Sequence, residues 1–318
     1  MLQYLIIILD ESCTSFCHYE KKRVGSKLIS LETLKEGIVF AMKENLFIQY
    51  IYPEKRLPTE YEKLIESFEH SKIVSSTCED SELQEIADAI VFDGWECINN
   101  YPLRKDQAYI LRTTKNDFFI HNKEFGELSR NSGHFSVVFT DVTTFTKEDF
   151  EKYNRVLAEL VDLFKNFYIN QETPQTNLLT DRLILNKMNN CGAGENTITL
   201  APNGKLYICP GFYNDNEPES AGDIFSGYDI KNKQLYKLEY SPICRHCDAF
   251  QCKRCIWLNK KTTLEVNIPS HEQCVTAHLE RNASRELLNG IRSDHTFLPE
   301  QEIEQIDYLD PFEKRETW

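Results

Sequence analysis

A chain of 318 residues is long enough for one large domain or for two. Its 41% hydrophobic and 27% charged residues suit a globular protein. No apolar run reaches the ~18 residues of a membrane span, and "YLIIIL" lacks the basic start and small-residue cleavage site of an export signal. A cytoplasmic protein without membrane contact is expected. The formal net charge of -14 and the pI of about 5.1 argue against nucleic-acid binding, which needs a dense cationic face.

The first 170 residues or so alternate short β-rich runs with segments that can hold helices. Strands are expected at Tyr4–Leu9, Phe47–Tyr52, Lys72–Thr77, Ala89–Phe92, Ala108–Arg112 and Phe135–Thr140, each β-branched or aromatic and each followed by polar or turn residues. Phe150, Tyr153, Val156, Leu157, Leu160, Phe164 and Phe167 recur at helical spacing, which predicts a helix from about Lys147 to Tyr168, with Thr146 and Asp149 as its capping box. Six strands alternating with helices predict an α/β fold, a parallel sheet or open barrel with its chemistry at the carboxyl ends of the strands. Cys13 falls just past the end of the first strand.

The polar, proline-bearing stretch Asn170–Asn177 reads as a linker. Beyond it, Thr197–Leu200 and Lys205–Ile208 flank a Pro-Asn-Gly turn and predict a hairpin. Glu272–Leu288 reads as a helix closed by Asn289-Gly290.

Cysteine is the dominant signal. Of eleven cysteines, seven lie between Cys191 and Cys274. A reducing cytosol disfavours disulfides, so such clustering points to metal or redox chemistry. Cys191 is followed by Gly204 and Cys209, then by Cys244-x2-Cys247-x4-Cys252-x2-Cys255, and finally by Cys274. Thiolates ligate iron–sulfur clusters and zinc alike. Two C-x2-C pairs could form one zinc site, leaving Cys191, Cys209 and Cys274 over, whereas two clusters use all seven. Glycines beside the ligands (Gly192, Gly211) are expected to let backbone approach a cluster. Of the basic residues Arg245, His246, Lys253, Arg254, Lys260 and Lys261, some could offset cluster charge, or all could be a solvated loop. The other cysteines, Cys78 and Cys97, and also His134, read as structural. Cys13 or Cys17 beside His18 could also form a nucleophile–base pair, though sequence neighbours rarely have that geometry.

The C-x12-G-x4-C spacing, four close cysteines and a final one resemble the SPASM domain that follows the barrel of radical S-adenosylmethionine (AdoMet) enzymes modifying peptides. The x4 and x2 spacings stand where that family usually has x5 and x3. The resemblance implies two interleaved [4Fe–4S] clusters: Cys191, Cys209 and Cys255 on the first, and Cys244, Cys247, Cys252 and Cys274 on the second. A further cysteine often present on the first cluster is not placed, which leaves an iron open there.

The front half resembles the six-strand partial barrel of the same enzymes, with departures. In "LDESCTSFCHYE", Glu20 stands where the third cysteine of a C-x3-C-x2-C loop belongs, and carboxylate is a poor substitute for thiolate. "IYPEKRLP" offers Glu54 but lacks the glycines of the Gly-Gly-Glu-Pro-like cofactor motif. Cys13, Cys17 and Glu20 thus read as a degenerate cluster loop, with AdoMet not used. Together with "LTDRLILNKMNNCGAGENTITLAPNGKLYICPGFY", the loop is similar to the CXXX-repeat peptide maturase family. That resemblance implies a role beside a true radical-SAM maturase on a ribosomally made, cysteine-repeat precursor peptide. An active radical-SAM peptide-modifying enzyme and a zinc-stabilised, non-redox scaffold stand as alternatives. The expected organisation is a partial barrel over 1–184, a SPASM-like domain over 185–290 and an acidic tail over 291–318.

Overall fold

The computed structural model describes residues 2–20, 25–215, 220–293 and 296–304. Six strands form one parallel ladder in chain order: β1 (Tyr4–Ile8), β2 (Phe47–Ile51), β3 (His70–Ser75), β4 (Ala89–Asp93), β5 (Ala108–Thr113) and β6 (His134–Phe139). Between them run α1 (Leu31–Glu44), α2 (Thr59–Ile65), α3 (Ser81–Glu85) and α4 (Lys115–Arg130), and α5 (Lys147–Ile169) follows β6. Parallel strands packed on both faces favour long apolar runs; Leu5, Ile7, Ile90, Val91, Tyr109 and Leu111 are buried without residual exposure. Ser30 caps α1, and the Thr146–Asp149 capping box opens α5 as expected.

The chain then passes through α6 (Asp181–Ile184) into the hairpin β7 (Thr197–Leu200) and β8 (Lys205–Tyr207), α7 (Pro210–Asn214), β9 (Gly222–Asp223) and β10 (Gly227–Tyr228). β7 pairs parallel with β1, on the edge that β2 leaves free, so the hairpin extends the barrel sheet. The expected boundary at 184/185 therefore precedes strands that share a ladder with β1. Gly204 sits at φ +79° in the hairpin turn, a conformation that glycine adopts without strain. The chain ends in α8 (Ile256–Thr263) and α9 (His271–Arg292), with α9 packed along α5.

Several expected boundaries move. β3 begins at His70 rather than Lys72 because His70 and Ser71 pair with Ile48 and Gln49 in the ladder. α9 runs past Asn289-Gly290 to Arg292: a Cβ at Gly290 would lie 3.1 Å from Lys165, so the small residue serves close packing on α5 and not a stop. The stretch Asn170–Asn177 is no free linker. The Asn177 side chain accepts from Val137 N at 2.8 Å and donates to Val137 O at 2.9 Å, stitching the segment to β6. Of the expected tail, 296–304 folds back: Arg292 donates to Phe297 O at 2.9 Å, and Gln301 donates to Leu185 O at 3.2 Å. The remainder, 305–318, lies outside the described residues. Among the described residues no helix is long and apolar enough to cross a membrane.

Candidate metal centre

The loop after β1 crosses the carboxyl ends of β5 and β6. Arg112, 4% exposed at the end of β5, donates from Nε to Cys17 O at 3.0 Å and from Nη2 to Tyr19 O at 3.1 Å. Its remaining nitrogen pairs with Asp93 at 2.6 Å. His18 Nδ1 lies 3.1 Å from Phe139 O; a carbonyl only accepts, so Nδ1 carries the proton and its lone pair is not there to activate a cysteine. Ser15 Oγ accepts from Cys17 N at 3.3 Å. This pinning separates the two loop cysteines. Cys13 donates to Ile51 O at 3.0 Å, whereas Cys17 opens into a cavity of about 590 Å³ shared with Cys191, Cys252 and Cys255. Glu20 is exposed.

Two groups of thiols result. In the first, the Cys17 thiol lies beside that of Cys255, and Cys17, Cys191, Cys209 and Cys255 lie close enough for their charges to act on one another. The neighbouring Cys255 thiol holds Cys17 below the usual thiol range, aided by His18 and Arg112, and Cys17 in turn holds Cys255 well above it. Burial, then repulsion from Cys191, pushes Cys209 up. Cys191 is exposed where it opens onto the cavity, yet the surrounding protein also holds its thiol up. The second group is Cys244, Cys247, Cys252 and Cys274. Burial first and mutual repulsion second push Cys247 to about 11 and Cys252 to about 12, and Cys274 higher still. Cys17 thus lies with Cys191, Cys209 and Cys255, apart from Cys244, Cys247, Cys252 and Cys274.

Arg254 stands between the groups. It is 2% exposed, its φ is +45°, and its charge acts on Cys191 of one group and Cys244 of the other. Its guanidinium reaches Tyr236 O through Nη2, while Nε and Nη1 have no hydrogen-bond partner. A non-glycine residue in the left-handed region and a buried, half-satisfied cation both cost free energy. Anions gathered on the flanking thiolates would offset that cost, so the residues present fit anionic iron–sulfur clusters. Of the other basic residues expected to matter, Arg245, His246, Lys253, Lys260 and Lys261 are exposed, and Lys261 pairs with Asp215 at 2.9 Å. A Cβ on Gly192 would meet Asn196 at 1.6 Å and one on Gly211 would meet Trp257 at 2.7 Å, so both admit neighbouring side chains.

The cysteine-rich loop is fastened to α9. Asp248 accepts from Arg281 Nε at 2.9 Å on both oxygens, and Arg281 has no exposure. Arg182 donates to Asp248 O at 2.7 Å and covers the Phe250 ring at 4.4 Å. His278 Nδ1 lies 2.7 Å from Cys274 O, so that nitrogen carries the proton, and Nε2 faces Cys247 Sγ at 3.5 Å. Glu280 lines the cavity and accepts from Tyr153 at 2.9 Å. Arg112, Arg281, His278 and Glu280 escaped the sequence reading. The available signals were a charge ending the apolar strand "AYILR" and a histidine one helical turn beyond Cys274. Cys78 donates to Pro53 O at 3.6 Å and His134 bonds Asp181 at 2.8 Å, both structural as expected. Glu54 is exposed and accepts from Thr77. Among the described residues no three His, Cys, Asp or Glu side chains are arranged to hold a single metal ion.

No protein-family model and no curated protein matches the chain. Solved structures do. Histidine-tagged anSMEcpe with bound AdoMet superposes with a TM-score of 0.62 at 16% identity, over 94% of this chain and 97% of that one. Native anSMEcpe with bound AdoMet and the Cp18Cys peptide gives 0.62 at 15% identity, over 92% and 100%. A third, with AdoMet and the Kp18Cys peptide, gives 0.60 at 14% identity, over 91% and 99%. The chain therefore shares the α/β fold of anSMEcpe, with a parallel-strand core, along nearly its whole length.

Proposed function

We propose that the chain is an iron–sulfur protein that holds two [4Fe–4S] clusters and acts beside a true radical-SAM enzyme in maturing a cysteine-repeat (CXXX) precursor peptide, by binding the precursor or passing electrons. Buried Arg254, lying between two groups of thiols with two nitrogens unpartnered, is the observation that carries this reading. Cys191, Cys209 and Cys255 would hold the first cluster, and Cys244, Cys247, Cys252 and Cys274 the second. When bound, such clusters supply single electrons at potentials set by nearby charge and hydrogen bonds. The chain's own contribution is to exclude water, to place Arg254 between the two groups and to aim His278 Nε2 at Cys247 Sγ. A peptide as partner accords with the neighbours, which are described with bound peptides.

AdoMet is bound by those neighbours, so an active radical enzyme is the second reading. Against it stands the splitting of the front loop: Cys13 bonds Ile51 O while Cys17 meets Cys255. Iron and acid-labile sulfide analysis after anaerobic reconstitution tests the first reading, which expects about eight of each per chain. Zinc without sulfide would refute it and favour the scaffold. Release of 5′-deoxyadenosine from AdoMet under reduction would favour the active enzyme.

A further inference from the structure

Cys13 and Cys17 share a loop but face different spaces. Cys13 lines a small cavity with Asp10, Tyr19 and Tyr213, and its thiol is spent on Ile51 O. Cys17 lines the large cavity with Cys191 and Cys255, and its thiol meets that of Cys255. The position is enforced from outside the loop, because Arg112 of β5 holds the carbonyls on either side of His18. The guanidinium in turn is fixed by Asp93. A loop that had merely lost its cluster would have no need of such a clamp.

We propose that Cys17 is the fourth ligand of the first cluster, completing the set Cys191, Cys209 and Cys255; the inference rests on the two-cluster reading above. Each of the four thiols releases its proton to solvent as its sulfur–iron bond forms, and no oxidant is consumed in that exchange. All four irons are then held by the protein. No iron is left for a substrate thiolate, so this cluster passes electrons and does not bind the peptide through iron. The residue that reads as a relic of the front loop is thus a ligand in the back half, and the open iron expected from sequence is closed.

The test uses the full chain, reconstituted anaerobically, as wild type, Cys17→Ala, Cys17→Asp and Cys13→Ala, with iron and sulfide content and EPR as readouts. Cys17→Ala is expected to fall from about eight irons to about seven or about four, with loss or conversion of one EPR signal. Added 2-mercaptoethanol should restore that signal by supplying the missing thiolate. Cys17→Asp, which keeps a negative ligand should the alanine variant fail to fold, is expected to shift the g values of one cluster only. Cys13→Ala should match wild type. Wild-type iron content and spectra in both Cys17 variants would overturn the assignment while leaving the two-cluster reading standing. A wild-type protein that takes up no iron would overturn both.

Discussion

Replacing Arg254 with methionine should change sign with the metal content of the protein. In the iron-free chain the guanidinium is 2% exposed, reaches one carbonyl and leaves Nε and Nη1 unpartnered. Exchanging a poorly compensated buried charge for an apolar side chain of similar length is often stabilising by about 1–4 kcal/mol. In the loaded protein the same cation would face anionic clusters on both sides. At separations of roughly 5–8 Å and an effective dielectric of about 20, its attraction for one added electron is about 2–3 kcal/mol. Losing it should lower a cluster potential by about 80–130 mV, taking ~59 mV per ~1.4 kcal/mol for one electron. Urea unfolding of the iron-free forms measures the first effect, and an EPR-monitored potentiometric titration of the loaded forms measures the second. The reasoning fails if Arg254→Met destabilises the iron-free chain and leaves both potentials within about 20 mV of wild type.

Asp248→Ala strips Arg281, which has no exposure, of its carboxylate. A loss of about 3–5 kcal/mol is expected in denaturant unfolding, and a loss below ~1 kcal/mol would contradict the anchoring role. Cys274→Ala should remove about half the iron and leave the EPR signal of the first cluster; loss of both signals would show the two sets to be interdependent. Glu280→Gln should flatten a pH dependence of the iron-free chain. Burial pushes Glu280 from 4.5 up to about 7, Asp181 adding to the rise and the bonds from Tyr153 and Gln251 opposing it, with Cys252 also nearby. Between those values the folded state binds more protons than the unfolded, so stability declines as pH rises, by at most ~1.4 kcal/mol per pH unit. Unfolding at several pH values measures that slope, and an unchanged slope in the variant would refute it. Glu20→Cys should leave the iron count at about eight, because Glu20 is exposed and the two loop cysteines point into different cavities. A rise to about twelve would show that the loop can still gather three thiols.

The strands were legible because a parallel sheet buried on both faces demands unbroken β-branched and aromatic runs, and "YLIII" or "AIVF" satisfy nothing else so well. The α5 helix was legible for the matching reason, one apolar face at helical spacing closed by a capping box. The expected grouping of the seven late cysteines follows from the resemblance, carried over position by position. Membership of Cys17 could not be carried over, because it depends on a tertiary fact: Arg112 pulls the loop carbonyls over the ends of β5 and β6. The missed end of α9 has a similar origin. Asn289-Gly290 is a stop signal locally, and packing against Lys165 of α5 overrides it.

With Cys17 in the first set, its ligands come from distant parts of the chain: the loop after β1, the two flanks of the β7–β8 hairpin, and the start of α8. Because β7 already pairs with β1, the hairpin and the loop are brought together by the sheet before any metal arrives. The segment bearing Cys255 approaches the loop separately: the Cys255 thiol lies beside that of Cys17, and Trp257 packs edge-on against Tyr19. Four metal–thiolate bonds at that junction would add to these contacts between the front loop and the cysteine-rich segment, so that binding free energy becomes folding free energy. A cluster in this position fastens the fold together as well as carrying charge, which gives a physical reason for a barrel to keep one cysteine of its front loop while leaving the loop's third position to Glu20.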